Sequence, residues 1–165
     1  MSPGSSAAGG QGQRLLDIAP MRRSALRLLG DAGPEPAPVE VEALIHRIRA
    51  DVKALIPEVE KAAQARPDDD IARYCALACV GEAGLRLNAR LTGAAMPLSL
   101  ARRLARCLFA LCEHYESLAE PMVCVLCDGG ITDGEDSAPY GQITETGVVK
   151  SSRAHRGCLP QRRFR

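Results

Sequence analysis

The sequence predicts a mostly α protein: an antiparallel three- to four-helix bundle with a small β-hairpin module at its C-terminus. Three observations carry this expectation. Apolar residues recur at helical spacing through most of residues 39–120. The pattern breaks at Pro121 and gives way to two closely spaced pairs of metal-ligating residue types. Aromatic residues are scarce, with three Tyr, two Phe and no Trp in 165 residues, which argues against a large β-sandwich or barrel and against a base-stacking platform. The rest of the composition is ordinary for a globular chain, 46% apolar and 25% charged. A net charge of +1, from 21 basic and 20 acidic residues, excludes a polyanion binder driven by bulk charge and a highly charged disordered chain.

Residues 1–13 are Gly, Ser, Ala and Gln without periodicity, and are expected to be disordered. They carry neither a basic n-region nor an apolar h-region, and no apolar run is long enough to span a bilayer, so the expected location is the cytoplasm, with no membrane contact. Residues 14–30 read as a short helix, with Leu15, Leu16, Ile18, Leu26, Leu28 and Leu29 as its apolar set. Pro20 leaves two possibilities: the helix begins near it, or there are two short pieces. Residues 31–38 are a Pro-rich linker.

The strongest periodicity follows. Val41, Leu44, Ile45, Ile48, Val52, Leu55, Ile56 and Val59 lie on one face of a long amphipathic helix. Pro57 interrupts it, at a cost of about 3 kcal/mol for a proline in a helix interior. Because Val59 stays in phase, one kinked helix is expected, ending before Pro67. Asp68, Asp69 and Asp70 then offer cap oxygens to a third helix, from about Ile71 to Leu91. This one is apolar on two sides, with Ile71, Tyr74, Cys75, Ala78, Glu82 and Leu85 on one stripe and Leu77, Val80, Gly84, Leu87 and Leu91 on the other. Gly93 is its stop, and Pro97 suits the first turn of the last helix. There Ala101, Leu104, Ala105, Leu108, Leu111, Cys112, Tyr115 and Leu118 face inward. Arg102, Arg103 and Arg106 are expected to form a solvated outer face.

Residues 121–165 differ in kind. Cys124 and Cys127 form a C-x-x-C pair, and after 27 intervening residues His155 and Cys158 form an H-x-x-C pair. Zinc takes four N or S ligands converging tetrahedrally, and two pairs brought together by a hairpin supply them. Asp128-Gly129-Gly130 offers the tight turn after the first pair, Asp133 to Pro139 a polar loop, and Tyr140–Ile143 with Val148–Lys150 two strand-like runs around a turn at 144–147. Four protein ligands leave no open position, so a structural zinc ion is expected, supplying most of the module's folding energy. Seven cysteines are an odd number, so a complete disulfide framework within one chain is impossible. A thiol-exchange role for C-x-x-C lacks the βαβ context that would support it. Cys75, Cys79, Cys107 and Cys112 fall on helices and read as small buried apolar residues, although four such thiols could hold a second metal.

No catalytic constellation emerges. His46 and His114 have no triad-like or H-E-x-x-H spacing, and there is no phosphate-binding glycine motif. From Lys150 onward, Lys150, Arg153, Arg156, Arg162, Arg163 and Arg165 make a basic tail that could touch phosphates, though the neighbouring acidic loop weakens that field.

The segments Ala54–Glu60, Ala72–Cys79, Ala101–Arg106 and Leu111–Glu116 resemble a family of small helical proteins of unknown function from GC-rich filamentous bacteria, some labelled natural-product biosynthesis proteins. The resemblance spans about residues 40–118 and brings no catalytic residues. Residues 122–160 resemble a treble-clef zinc module, except that Pro160 leaves room for only a very short terminal helix. The functional expectation is a non-enzymatic adaptor or regulatory protein acting through a protein partner or through self-association. The alternatives are a weak nucleic-acid-binding regulator using the basic tail, and a redox sensor that releases zinc on oxidation.

Overall fold

The computed structural model describes residues 16–30, 34, 36–88, 98–132, 135–143 and 149–160. The expected disordered start, half of the Pro-rich linker (31–33 and 35), the Gly93 stop, the Pro97 start, the hairpin turn at 144–147 and the last five residues lie outside that set.

The first helix, α1 (Ala19–Leu29), begins one residue before Pro20, so the proline sits in the first turn, where its missing N–H costs nothing. Its inward face is Met21, Ala25 and Leu28, with Ile18 just before it. Leu26, expected on the apolar face, is exposed, because it lies about 100° round the helix from Ala25. The long α2 (Pro38–Gln64) opens on the last proline of the expected linker and runs unbroken through Pro57. Pro57 is on the exposed side, where the carbonyl that it leaves without a donor can reach water. Ile45, Ile48, Val52, Leu55, Val59 and Ala63 are buried along the predicted face.

In α3 (Ile71–Asn88) the aspartate cap is Asp70, whose Oδ1 accepts from the N–H of Ala72 at 2.8 Å. Of its two apolar stripes, Ile71, Tyr74, Cys75, Ala78, Glu82 and Leu85 face solvent throughout, whereas the other lies inward: Val80 is buried beside Ala76 and Ala83, and Leu77 and Leu87 pack against the core. The helix is flanked by both α2 and α4, and small side chains allow that close approach, so the inward face is the one with less bulk. In α4 (Leu98–Ala119) every residue expected inside is buried, and Cys107 joins them.

α4 packs against α1, α2 and α3, and α2 packs against α1 and α3. Ile48, Leu55, Leu104, Leu108 and Leu111 are the largest fully buried apolar side chains of their shared core. Two arginines close helix ends. Arg49 donates to the Leu87 carbonyl of α3 at 2.7 Å. Arg66 donates to the carbonyls of Ser117, Leu118 and Glu120 at the end of α4 and lies 3.6 Å from Asp70.

Beyond Pro121 the chain builds a second, smaller core of Cys124, Ile131 and Ala154, with Met122, Tyr140 and Leu159 packed on it. Strands β1 (Ser137–Ile143) and β2 (Val149–His155) pair antiparallel, Ser137 opposite His155 and Ile143 opposite Val149. The hairpin is longer than the predicted runs, and Ser137–Pro139, expected in a polar loop, are already strand. A three-residue 3-10 turn, Arg156–Cys158, stands where a terminal helix had little room. The module is tied to the helices by Arg153, 9% exposed, which donates to Asp69 at 2.7 Å and to the Ser137 hydroxyl at 3.2 Å. The three successive aspartates thus divide their work: Asp68 pairs with Arg73, Asp69 with Arg153, and Asp70 caps α3.

Candidate metal centre

Cys124 and Cys127 sit on a turn that the local backbone dictates. The Asp128 N–H donates to the Cys124 carbonyl at 2.9 Å, and the Cys124 N–H to the Gly129 carbonyl at 2.8 Å. Asp128, not a glycine, takes the left-handed conformation (φ 58°), which its short polar side chain tolerates. Gly129 is needed for space: a Cβ there would lie 3.3 Å from the Cys127 sulfur and 3.5 Å from the His155 ring. An Ile131-to-Met122 backbone hydrogen bond of 2.8 Å closes the loop behind the pair. His155 ends β2 and Cys158 ends the 3-10 turn, so the H-x-x-C pair arrives from the hairpin side.

The structure brings all four predicted residues together. One ligand atom from each of Cys124, Cys127, His155 and Cys158 lies within 4.8 Å of every other. Cys127 Sγ is 3.4 Å and Cys158 Sγ 3.8 Å from His155 Nδ1. In a tetrahedron with metal–sulfur bonds near 2.3 Å and metal–nitrogen bonds near 2.0 Å, the sulfur–nitrogen edge is about 3.6 Å. These spacings fit that geometry, and the cluster could hold a metal ion. Cys124 is buried, Cys127 exposed, and His155 and Cys158 are half-buried.

The surroundings are those of a ligand set. His155 Nε2 lies 3.2 Å from the Gly130 carbonyl and 3.3 Å from Glu135 Oε1, two acceptors that place the ring proton on Nε2 and leave Nδ1 facing the sulfurs. Burial works against the Cys124 thiolate, but N–H donors from Leu126, His155 and Cys127 outweigh it and bring that thiol down to about 6. Cys158 is pushed up to about 11 by its contact with Cys127, by burial and by Cys124. Without a cation the cluster thus favours the Cys124 thiolate and disfavours that of Cys158, and a bound divalent ion removes that conflict. Removing the Glu135 carboxylate (Glu135→Ala) is expected to weaken metal affinity by about tenfold, read by competition with a chromophoric chelator. Unchanged affinity would mean that Glu135 does not orient the ring.

Sequence reasoning did not find the parts played by Glu135 and Arg153. Glu135 reads there as one acid in a polar loop and Arg153 as one base in a tail, because the partners of each are fixed only by the fold. Of the tail's described arginines, Arg153 is held by Asp69 and Ser137, and Arg156 pairs with Asp136 at 2.6 Å. His46 is exposed on α2. Cys107 and Cys112 are buried, whereas Cys75 is exposed and Cys79 half-buried, a departure from the expected burial, since Cys75 lies on the stripe of α3 that faces solvent. No helix among the described residues is long and apolar enough to cross a membrane.

No curated protein and no solved structure matches the chain. A family model does match, over residues 19–120, which takes in all four helices and stops short of the Cys/His cluster. The chain therefore belongs to a family of unknown function, DUF6415, and carries its candidate metal centre outside the matched region.

Proposed function

We propose that this protein is a non-enzymatic adaptor or regulatory protein in which an antiparallel four-helix bundle presents an interaction face and a structural zinc ion holds the C-terminal module. The observation that carries the reading is the outward face of α3. Ile71 is 52% exposed, Tyr74 76% and Leu85 77%, with Cys75 and Ala78 between them. Large apolar side chains aligned on one helix face are what a protein contact covers. The closed set of three thiolates and one imidazole favours zinc over harder cations, and four protein ligands suit a structural ion. The nucleic-acid alternative is weakened by Arg153 and Arg156, whose charges are matched within the protein.

A second copy of the chain or another protein would cover this face, and mass as a function of concentration distinguishes the two. Sedimentation of the full chain is expected to give a dimer that dissociates on dilution. The pair Tyr74→Glu and Leu85→Glu should make it monomeric, with a melting temperature no lower than that of the dilute, monomeric wild-type chain. A chain that stays monomeric at every concentration would refute self-association.

A further inference from the structure

A second site lies between α3 and α4, away from the Cys/His cluster. Arg86 from α3 and Arg103 and Arg106 from α4 line a concavity of about 400 Å³ together with Glu82, Cys79 and Cys107. The spacing along each helix explains the convergence: 82 and 86 are one turn apart on α3, and 103 and 106 are one turn apart on the facing side of α4. Three guanidinium groups therefore meet one carboxylate. Glu82 is held by Arg86 through both its Nε and a terminal nitrogen. Among the described residues, Arg103 and Arg106 meet no carboxylate, and the first turn of α4 contains no acid. The two thiols add no negative charge, since burial pushes Cys79 up to about 11 and raises Cys107 too.

We propose that this concavity binds a small dianion, the phosphate group of free phosphate or of a phosphomonoester metabolite. The excess of two positive charges matches a dianion and would be only half matched by a monocarboxylate. The planar forks of Arg103 and Arg106 suit paired phosphate oxygens. The volume is near the lower end for small-molecule sites, enough for a phosphate and a short organic group. Cys79, half-buried at the wall, makes a reporter: an occupant would shield its thiol, while Cys75 on the outer face of α3 would stay open.

The test uses the full-length chain, titrated by calorimetry with inorganic phosphate, with phenyl phosphate and with sodium acetate at constant ionic strength. Saturable binding of one phosphate per chain is expected, with acetate much weaker. Stronger binding of phenyl phosphate than of inorganic phosphate would identify the occupant as an organic phosphomonoester, and the reverse order would identify free phosphate. Arg103→Ala and Arg106→Ala should each weaken binding by about tenfold, and Arg23→Ala, on the exposed side of α1, should not. Phosphate should also slow alkylation of Cys79 and not of Cys75, read peptide by peptide in the wild-type chain, so the test does not depend on a variant that folds. Absence of saturation, equal binding by the arginine variants, or unprotected Cys79 would each overturn the proposal.

Discussion

Replacing Cys124 with serine is expected to abolish stoichiometric metal binding and to unfold residues 122–160 while the four helices stay folded. The reason is the size of the second core. Three residues, Cys124, Ile131 and Ala154, are buried there, and one of them is itself a ligand. Ordering a residue's backbone costs about 1–2 kcal/mol, and so small an apolar core offsets only a fraction of that over the module. Zinc bound by three thiolates and an imidazole contributes about 10 kcal/mol or more in small modules, which is the scale required. Serine also leaves the His155 N–H without the sulfur that it meets at 3.4 Å. Metal content by mass spectrometry should fall from one zinc per chain to none. Hydrogen exchange should become fast across β1 and β2 and remain slow in α2 and α4. Retention of stoichiometric zinc, or protected strands in the metal-free variant, would show that the hairpin stands on its own contacts.

The same comparison explains what could be read in advance. The site was legible because zinc imposes its spacing locally: two ligands two residues apart on a turn, twice. The surroundings were not, because His155 meets Gly130 and Glu135 across 25 and 20 residues, and Arg153 meets Asp69 across 84, distances over which sequence carries no pairing rule. The helices divide in the same way. α2 and α4 alternate apolar and charged sides, so their buried faces follow from period alone. α3 is apolar on both sides, and period then identifies the helix without saying which stripe is covered. What decides is the gap between α2 and α4, which takes Ala76, Val80 and Ala83 and leaves Tyr74 and Leu85 outside.

That choice of face makes one substitution informative at two positions. Leu108→Ala, on α4, removes a fully buried side chain from the middle of the shared core. It loses the transfer free energy of three carbons and leaves a cavity that the surrounding side chains cannot fill without moving, so a destabilisation of about 2–5 kcal/mol is expected. Leu85→Ala, on α3, removes the same atoms from a side chain that is mostly in water already. Its expected effect on a dilute, monomeric chain is within about 0.5 kcal/mol of zero, with alanine's better helix propensity working slightly in its favour. Urea unfolding followed by helical ellipticity measures both, with the slope of the transition checked for constancy. Had the stripe through Tyr74 and Leu85 been the buried one, the two variants would fall together. A Leu85→Ala chain that loses as much stability as Leu108→Ala at low concentration would put that stripe back in the core and remove the face on which the adaptor reading rests. If instead the Leu85 effect is absent at low concentration and grows as the chain is concentrated, the lost free energy belongs to association between copies.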